Sequence, residues 1–136
     1  MNLTEFSKEV HENAVAHGWW EKEKSFPEII ALIHSELSEA LEEYRDNKPM
    51  VYYNCRYDSN DVCPCISTKC EEFFKDDCCK QNALDQKPKG IAIELADAVI
   101  RILDYCGRYG IDIEKAIEIK HEYNKTRPYK HGGKKI

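Results

Sequence analysis

IIALIHSELSEALEEYR, Ile29 to Arg45, is the stretch on which the fold turns, with IAIELADAVIRILDYCGRYG, Ile91 to Gly110, as its partner. Each repeats apolar residues at helical spacing. Each also carries two acidic residues three apart: Glu36 and Glu39 in the first, Glu94 and Asp97 in the second. At 3.6 residues per turn, such a pair lies on one helix face. On a helical wheel, Ile29, Ile30, Leu32, Ile33, Leu37, Ala40, Leu41 and Tyr44 form one apolar arc. Glu36 falls inside that arc and Glu39 at its edge. A carboxylate on a core-facing surface is costly unless it is paired or binds a metal. In the second stretch apolar residues cover more than half the circumference, and Glu94, Asp97, Arg101, Asp104 and Arg108 form one narrow polar stripe. A helix that apolar is expected to be covered on most sides, with its stripe lining a cleft.

Side by side, these helices would gather four carboxylates, Glu36, Glu39, Glu94 and Asp97, around one point. That donor set suits a hard divalent cation, Mg²⁺ first and Mn²⁺ as the alternative. Ordinary surface carboxylates paired with Arg45 or Arg101 are the competing explanation. It suffices for a single acidic pair. It is weaker for two pairs, one of which intrudes on an apolar face.

The rest of the chain reads as further helices around this pair. In Asn2 to His17, Leu3, Phe6, Val10 and Ala14 repeat at three and four, with Asn2 as N-cap and Gly18 as the stop. His17-Gly-Trp-Trp follows. Adjacent Trp19 and Trp20 cannot easily enter one core; one packing while the other stacks on a flat ligand stands level with both being hinge or interface residues. Ser25-Phe-Pro-Glu28 starts the second helix, and Asp46-Asn-Lys-Pro49 ends it. Lys89-Gly90 leads into the third. Asp112 caps a fourth, along which Ile113, Ala116, Ile117, Lys120 and Asn124 share a face, with Pro128 as its stop. Lys120 and Asn124 continue an apolar stripe with a cation and an amide, which suits an anion; the simpler reading of Lys120 is a snorkelling side chain.

Met50 to Lys87 breaks the helical rhythm and holds six of the seven cysteines. Residues 47–88 are therefore an expected Cys-rich insertion between the second and third helices of one domain, 1–136, with a short helix at Glu71 to Cys79. Zinc held by Cys63, Cys65, Cys70 and either Cys78 or Cys79, with Cys55 as a substitute, stands level with free thiols. Disulfides fit a reducing compartment less well. Cys106, on the apolar face of the third helix, reads as core.

The chain has 136 residues and a net charge of −5. Lys120 to Ile136 carries six Lys/Arg and Glu122, net +5, which leaves −10 for the rest. An acidic body with a basic tail does not point to nucleic acid as a partner. No apolar run reaches membrane-span length and the N-terminus has no signal-peptide core, so a cytoplasmic protein without a membrane partner is expected.

The ExxE and ExxD helices, together with YNKTRPYKHGG at Tyr123 to Gly133, resemble the MazG-like all-α nucleoside triphosphate pyrophosphohydrolases. The resemblance covers roughly Asn13 to Trp20, Ser25 to Arg45 and Lys89 to Gly133. Many members have a further Glu where this chain has Ser35, and a shorter connection between the two acidic motifs. The resemblance implies an all-α four-helix bundle assembled as a homodimer or dimer of dimers. It implies Mg²⁺-dependent hydrolysis of a nucleoside triphosphate to monophosphate and pyrophosphate. Glu36 and Glu39 would be catalytic, and Glu36, Glu39, Glu94 and Asp97 the metal ligands. Trp19, Trp20 and His17 would lie on the base side. Lys120, Asn124, Lys125, Arg127 and Tyr129, with Lys130 a weaker member, would meet the phosphates.

Other classes compete. A di-iron carboxylate bundle would need Glu-x-x-His pairs, and here Glu39 and Asp97 stand at the histidine positions. A non-catalytic zinc-binding adaptor or regulatory helical protein would centre on the cysteine segment and leave the four carboxylates without a role.

Overall fold

The computed structural model describes residues 1–55 and 83–129. Cys63, Cys65, Cys70, Cys78, Cys79, the helix expected at Glu71 to Cys79, and Lys130 lie outside the described residues. The chain is mostly helical, with α1 at Leu3–Ala16, α2 at Phe26–Arg45, α3 at Ile91–Tyr109 and α4 at Ile113–Thr126. Two short strands, β1 at Tyr52–Cys55 and β2 at Ala83–Lys89, stand between α2 and α3. None of the described helices is long and apolar enough to cross a membrane.

The helix ends follow from the capping residues. The Asn2 side chain accepts from the Thr4 and Glu5 amides, Ser25 from that of Glu28, and Asp112 from that of Lys115. Each satisfies N–H groups that a helix leaves without an internal partner. Pro27 falls in the first turn of α2, where no backbone donor is needed. Past α4, Arg127 is extended, as the residue before Pro128 must be.

The chain forms two compact units, Ser25–Arg101 and Met1–Lys24 with Ile102–Ile136; α3 contributes to both. In the second of these, Ser7, Ala14, Leu103 and Cys106 are buried, Cys106 as its apolar position foretold. A Cβ on Gly107 would overlap the Ser7 carbonyl oxygen and crowd His11, so glycine allows α1 and α3 to approach closely. No residue of α4 is buried in the single chain, and Ile117, Ile119 and Tyr123 are exposed.

In the Ser25–Arg101 unit, Ile29, Ile33, Ala40 and Ala98 are buried, and Glu36 with them. Leu37, Leu41 and Tyr44 of the expected apolar arc are exposed, as are Leu95 and Val99 of α3. The expectation that α3 is covered on most sides is therefore not met within one chain. The mostly helical chain is consistent with the all-α expectation, and its strands fall in the stretch that breaks the helical rhythm. Tyr52 pairs with Lys89, Tyr53 with Pro88 and Cys55 with Ala83 in an antiparallel ribbon, with an irregularity between Tyr53 and Cys55. Proline is tolerated because a two-stranded ribbon has only edges. Where the chain enters and leaves the ribbon it is pinched together. The Ala92 amide donates to the Met50 carbonyl, and Gly90, at φ +117°, leaves no room for a Cβ against Pro49 and Met50.

Candidate metal centre

Glu36 and Glu39 come from the middle of α2, Glu94 from the first turns of α3. One carboxylate oxygen from each lies within 4.8 Å of the others, the arrangement of a possible three-ligand cation site among the described residues. Burial runs from Glu36, only 6% exposed, through half-buried Glu94 to exposed Glu39. Asp97 stands outside this triad but lines the same open cavity of about 420 Å³. The three clustered groups are hard oxygen donors without nitrogen or sulfur, a set that fits Mg²⁺ or Mn²⁺ better than zinc.

Arg101, one turn beyond Asp97, donates its Nε–H to Glu36 Oε1 at 2.5 Å. The buried carboxylate thus has a fixed counter-charge on one oxygen, and the pairing with Arg101 weighed above coexists with the cluster. The remaining acids repel one another. Glu39 is pushed up from an ordinary 4.5 to about 7, first by its hydrogen bond with Glu36, then by burial and the charges of Glu36 and Glu94. Because Glu39 is exposed, we attribute the shift mainly to its neighbours. Burial raises Glu94, as do the charges of Asp97, Glu36 and Glu43, against the lowering effect of its hydrogen bond with Glu39. Burial and Glu36 raise Asp97 against the opposing pull of Arg101 and Lys87. Without a cation, Glu39 keeps a share of its proton near neutral pH, which a divalent ion would displace.

The cavity has walls that the sequence did not reveal. Glu42, Glu43 and Asp46 extend its acidic side along α2, and Lys87, Pro88 and Lys89 of β2 close another. Tyr52 fixes the ribbon to α2 by donating its hydroxyl to Glu43 at 2.8 and 3.0 Å. Burial and that carboxylate raise the tyrosine's pKa. The adjacent tyrosines and the Lys-Pro-Lys run were visible in the sequence, but nothing local says that they pair.

The two tryptophans differ in their surroundings. Trp20 donates its indole N–H to both Asp104 oxygens, at 2.9 and 3.0 Å, and meets the His11 ring edge-on. His11 Nδ1 lies 2.8 Å from Asp104 Oδ1. Arg108 and Lys24 stand 5.0 and 5.3 Å from the Trp20 ring centre, and Arg108 is ion-paired with Glu23. Trp19 is 52% exposed, with His17 beside it at 6.5 Å between ring centres. Lys120, Asn124, Lys125, Arg127 and Tyr129 are all exposed. Lys120 stands over the Tyr123 ring and Lys125 pairs with Glu122. Of the expected site residues, the structure thus gathers Glu36, Glu39, Glu94 and Asp97 around one cavity; Trp19 with His17, and the cations of α4, belong to the other unit.

Comparison with protein-family models, with curated proteins and with solved structures found no match.

Proposed function

We propose that this protein is a Mg²⁺-dependent nucleoside triphosphate pyrophosphohydrolase of the MazG-like kind, which converts a nucleoside triphosphate and water to the monophosphate and pyrophosphate. The observation that carries the reading is the convergence of Glu36, Glu39 and Glu94 from two helices, with ligand oxygens within 4.8 Å of one another. Resemblance of the two acidic motifs and of the NKTRPYKHGG tail supplies the reaction class.

Glu36, Glu39 and Glu94 would hold the ion, with Asp97 beside them on the cavity wall. A bound divalent cation would neutralise phosphate charge and make water more acidic. Arg101 keeps Glu36 in one orientation, so the buried ligand does not have to be reordered on binding. Glu39, the exposed member of the three, would be the carboxylate that takes the proton from water. In the reaction, the water oxygen forms the new P–O bond, the α–β anhydride bond breaks, pyrophosphate leaves, and a water proton passes to a Glu39 oxygen. Trp19, half exposed and beside His17, is the better candidate for the base, because Trp20 is committed to Asp104. Lys120, Asn124, Lys125, Arg127 and Tyr129 remain the candidates of the C-terminal helix and tail for phosphate contacts.

Exposed Leu37, Leu41 and Tyr44 recur at i, i+4 and i+7 on α2, an apolar strip that supports a homodimer or dimer of dimers. Sedimentation equilibrium tests that part. Catalysis is tested by screening common and modified triphosphates for Mg²⁺-dependent pyrophosphate release. The proposal expects at least one efficient substrate, and silence across the panel refutes it.

A further inference from the structure

The carboxylate cavity has a cationic wall, and that wall is not part of either acidic helix. Its lining contains seven acidic residues and two lysines, Lys87 and Lys89 of β2. Positions two apart on a strand share a face, so both ammonium groups come from one side of β2. The Tyr52–Glu43 hydrogen bond and the pinch at Met50 and Gly90 hold that end of the ribbon, since Tyr52 is the partner of Lys89 in the register.

We propose that Lys87 and Lys89 bind the phosphate chain of the substrate, contacting the oxygens that leave as pyrophosphate. The inference rests on the pyrophosphohydrolase reading and assigns part of its binding site to the ribbon. A triphosphate chain carries close to four negative charges, and the cavity wall is itself acidic. One divalent cation, at +2, leaves the filled cavity strongly negative. Further positive charge is needed, and the two lysines of the lining supply it. An ammonium suits this task as a compact, rotatable point charge that can follow phosphate oxygens. If the lysines served only as counter-charges to the acids, their loss would change cation binding without a separate loss of phosphate affinity.

The test is calorimetric titration of pyrophosphate, in saturating Mg²⁺, into wild type, Lys87→Gln, Lys89→Gln, the double Gln variant and the double Arg variant. Parallel Mg²⁺ titrations, melting curves and, where turnover exists, KM and kcat complete it. The double Gln variant is expected to bind pyrophosphate about tenfold more weakly or worse, the loss of a charged hydrogen bond. KM should rise in parallel, and kcat should fall as well, because negative charge grows on the leaving pyrophosphate that the lysines contact. Mg²⁺ affinity should be retained or tightened, and the double Arg variant should lie close to wild type. Unchanged pyrophosphate affinity in the double Gln variant overturns the inference, and so does a loss matched by an equal loss of Mg²⁺ affinity. Wild type that binds pyrophosphate through these lysines but hydrolyses no triphosphate removes the hydrolase reading and leaves the phosphate site standing. Wild type that binds no pyrophosphate overturns the lysine assignment whatever it hydrolyses.

Discussion

Arg101 Nε donates to Glu36 Oε1 at 2.5 Å, and the Glu36 carboxylate it reaches is one of the most buried charges described in the chain. The bond links the middle of α2 to α3 and sets a positive charge at the inner edge of the acidic cluster. Arg101→Met keeps much of the side-chain volume and removes the charge. Leaving a buried carboxylate without its partner should cost about 1–3 kcal/mol, less than for a fully enclosed pair because Arg101 is itself about one-third exposed. Mg²⁺ should recover more stability in this variant than in wild type, since the ion becomes the principal counter-charge. Denaturant midpoints with and without Mg²⁺ measure both effects; an unchanged midpoint in metal-free buffer would show that the pair does not stabilise the fold.

Glu39→Gln should abolish Mg²⁺-dependent turnover, by at least about 100-fold, since it removes both a ligand and the proposed base. Glu94→Gln should do the same through the metal alone. Asp97→Asn should lose less if Asp97 only lines the cavity, and as much if it joins the ligand set when the ion binds. Circular dichroism should show all three folded. Near-normal turnover in Glu39→Gln and Glu94→Gln together would detach the chemistry from this cluster.

In the metal-free protein, Glu39 titrates near 7 in the folded state against about 4.5 in the unfolded chain. Over that window the folded state binds more protons, so metal-free stability should fall as pH rises from about 4.5 through 7. Glu94 and Asp97 shift in the same direction and add to the fall. A divalent ion prefers the deprotonated set, so Mg²⁺ affinity should rise across the same window and binding should release protons. Melting temperatures between about pH 5 and pH 8, with and without Mg²⁺, should diverge as pH rises. The Glu39→Gln variant should show a shallower metal-free decline. A slope unaffected by that substitution would assign the titration to other groups.

Trp19→Ala and Trp20→Ala should behave differently. Trp20 is tied to Asp104 and packed by His11, so its loss should lower stability by about 1–3 kcal/mol. Trp19 is half exposed, so its loss should leave the melting temperature nearly unchanged and weaken substrate binding by about 1–3 kcal/mol. Equal losses of stability with no effect on KM would remove Trp19 from the substrate.

What the sequence disclosed depended on local signals. The helices were legible because Asn2, Ser25, Asp112 and Pro128 act within a turn of themselves, and the acidic pairs because i, i+3 spacing fixes a face. Glu36 stood out as a carboxylate on an apolar arc, and it is buried. The ribbon was not legible, because Tyr52 and Lys89 pair across 37 positions and neither strand shows alternating polarity. Lys87, Lys89 and Glu43 were missed for the same reason, since they line the cavity only once the ribbon has formed. Leu37 and Leu41 belong to the apolar arc and are nevertheless exposed, because periodicity shows that a face is apolar, not whether the same chain covers it.

The most direct measurement is ³¹P NMR of a nucleoside triphosphate incubated with the protein and Mg²⁺. The account predicts monophosphate and pyrophosphate in equal amounts, none of either when Mg²⁺ is chelated, and none from Glu39→Gln. Diphosphate with orthophosphate, or turnover that survives both chelation and Glu39→Gln, would contradict it.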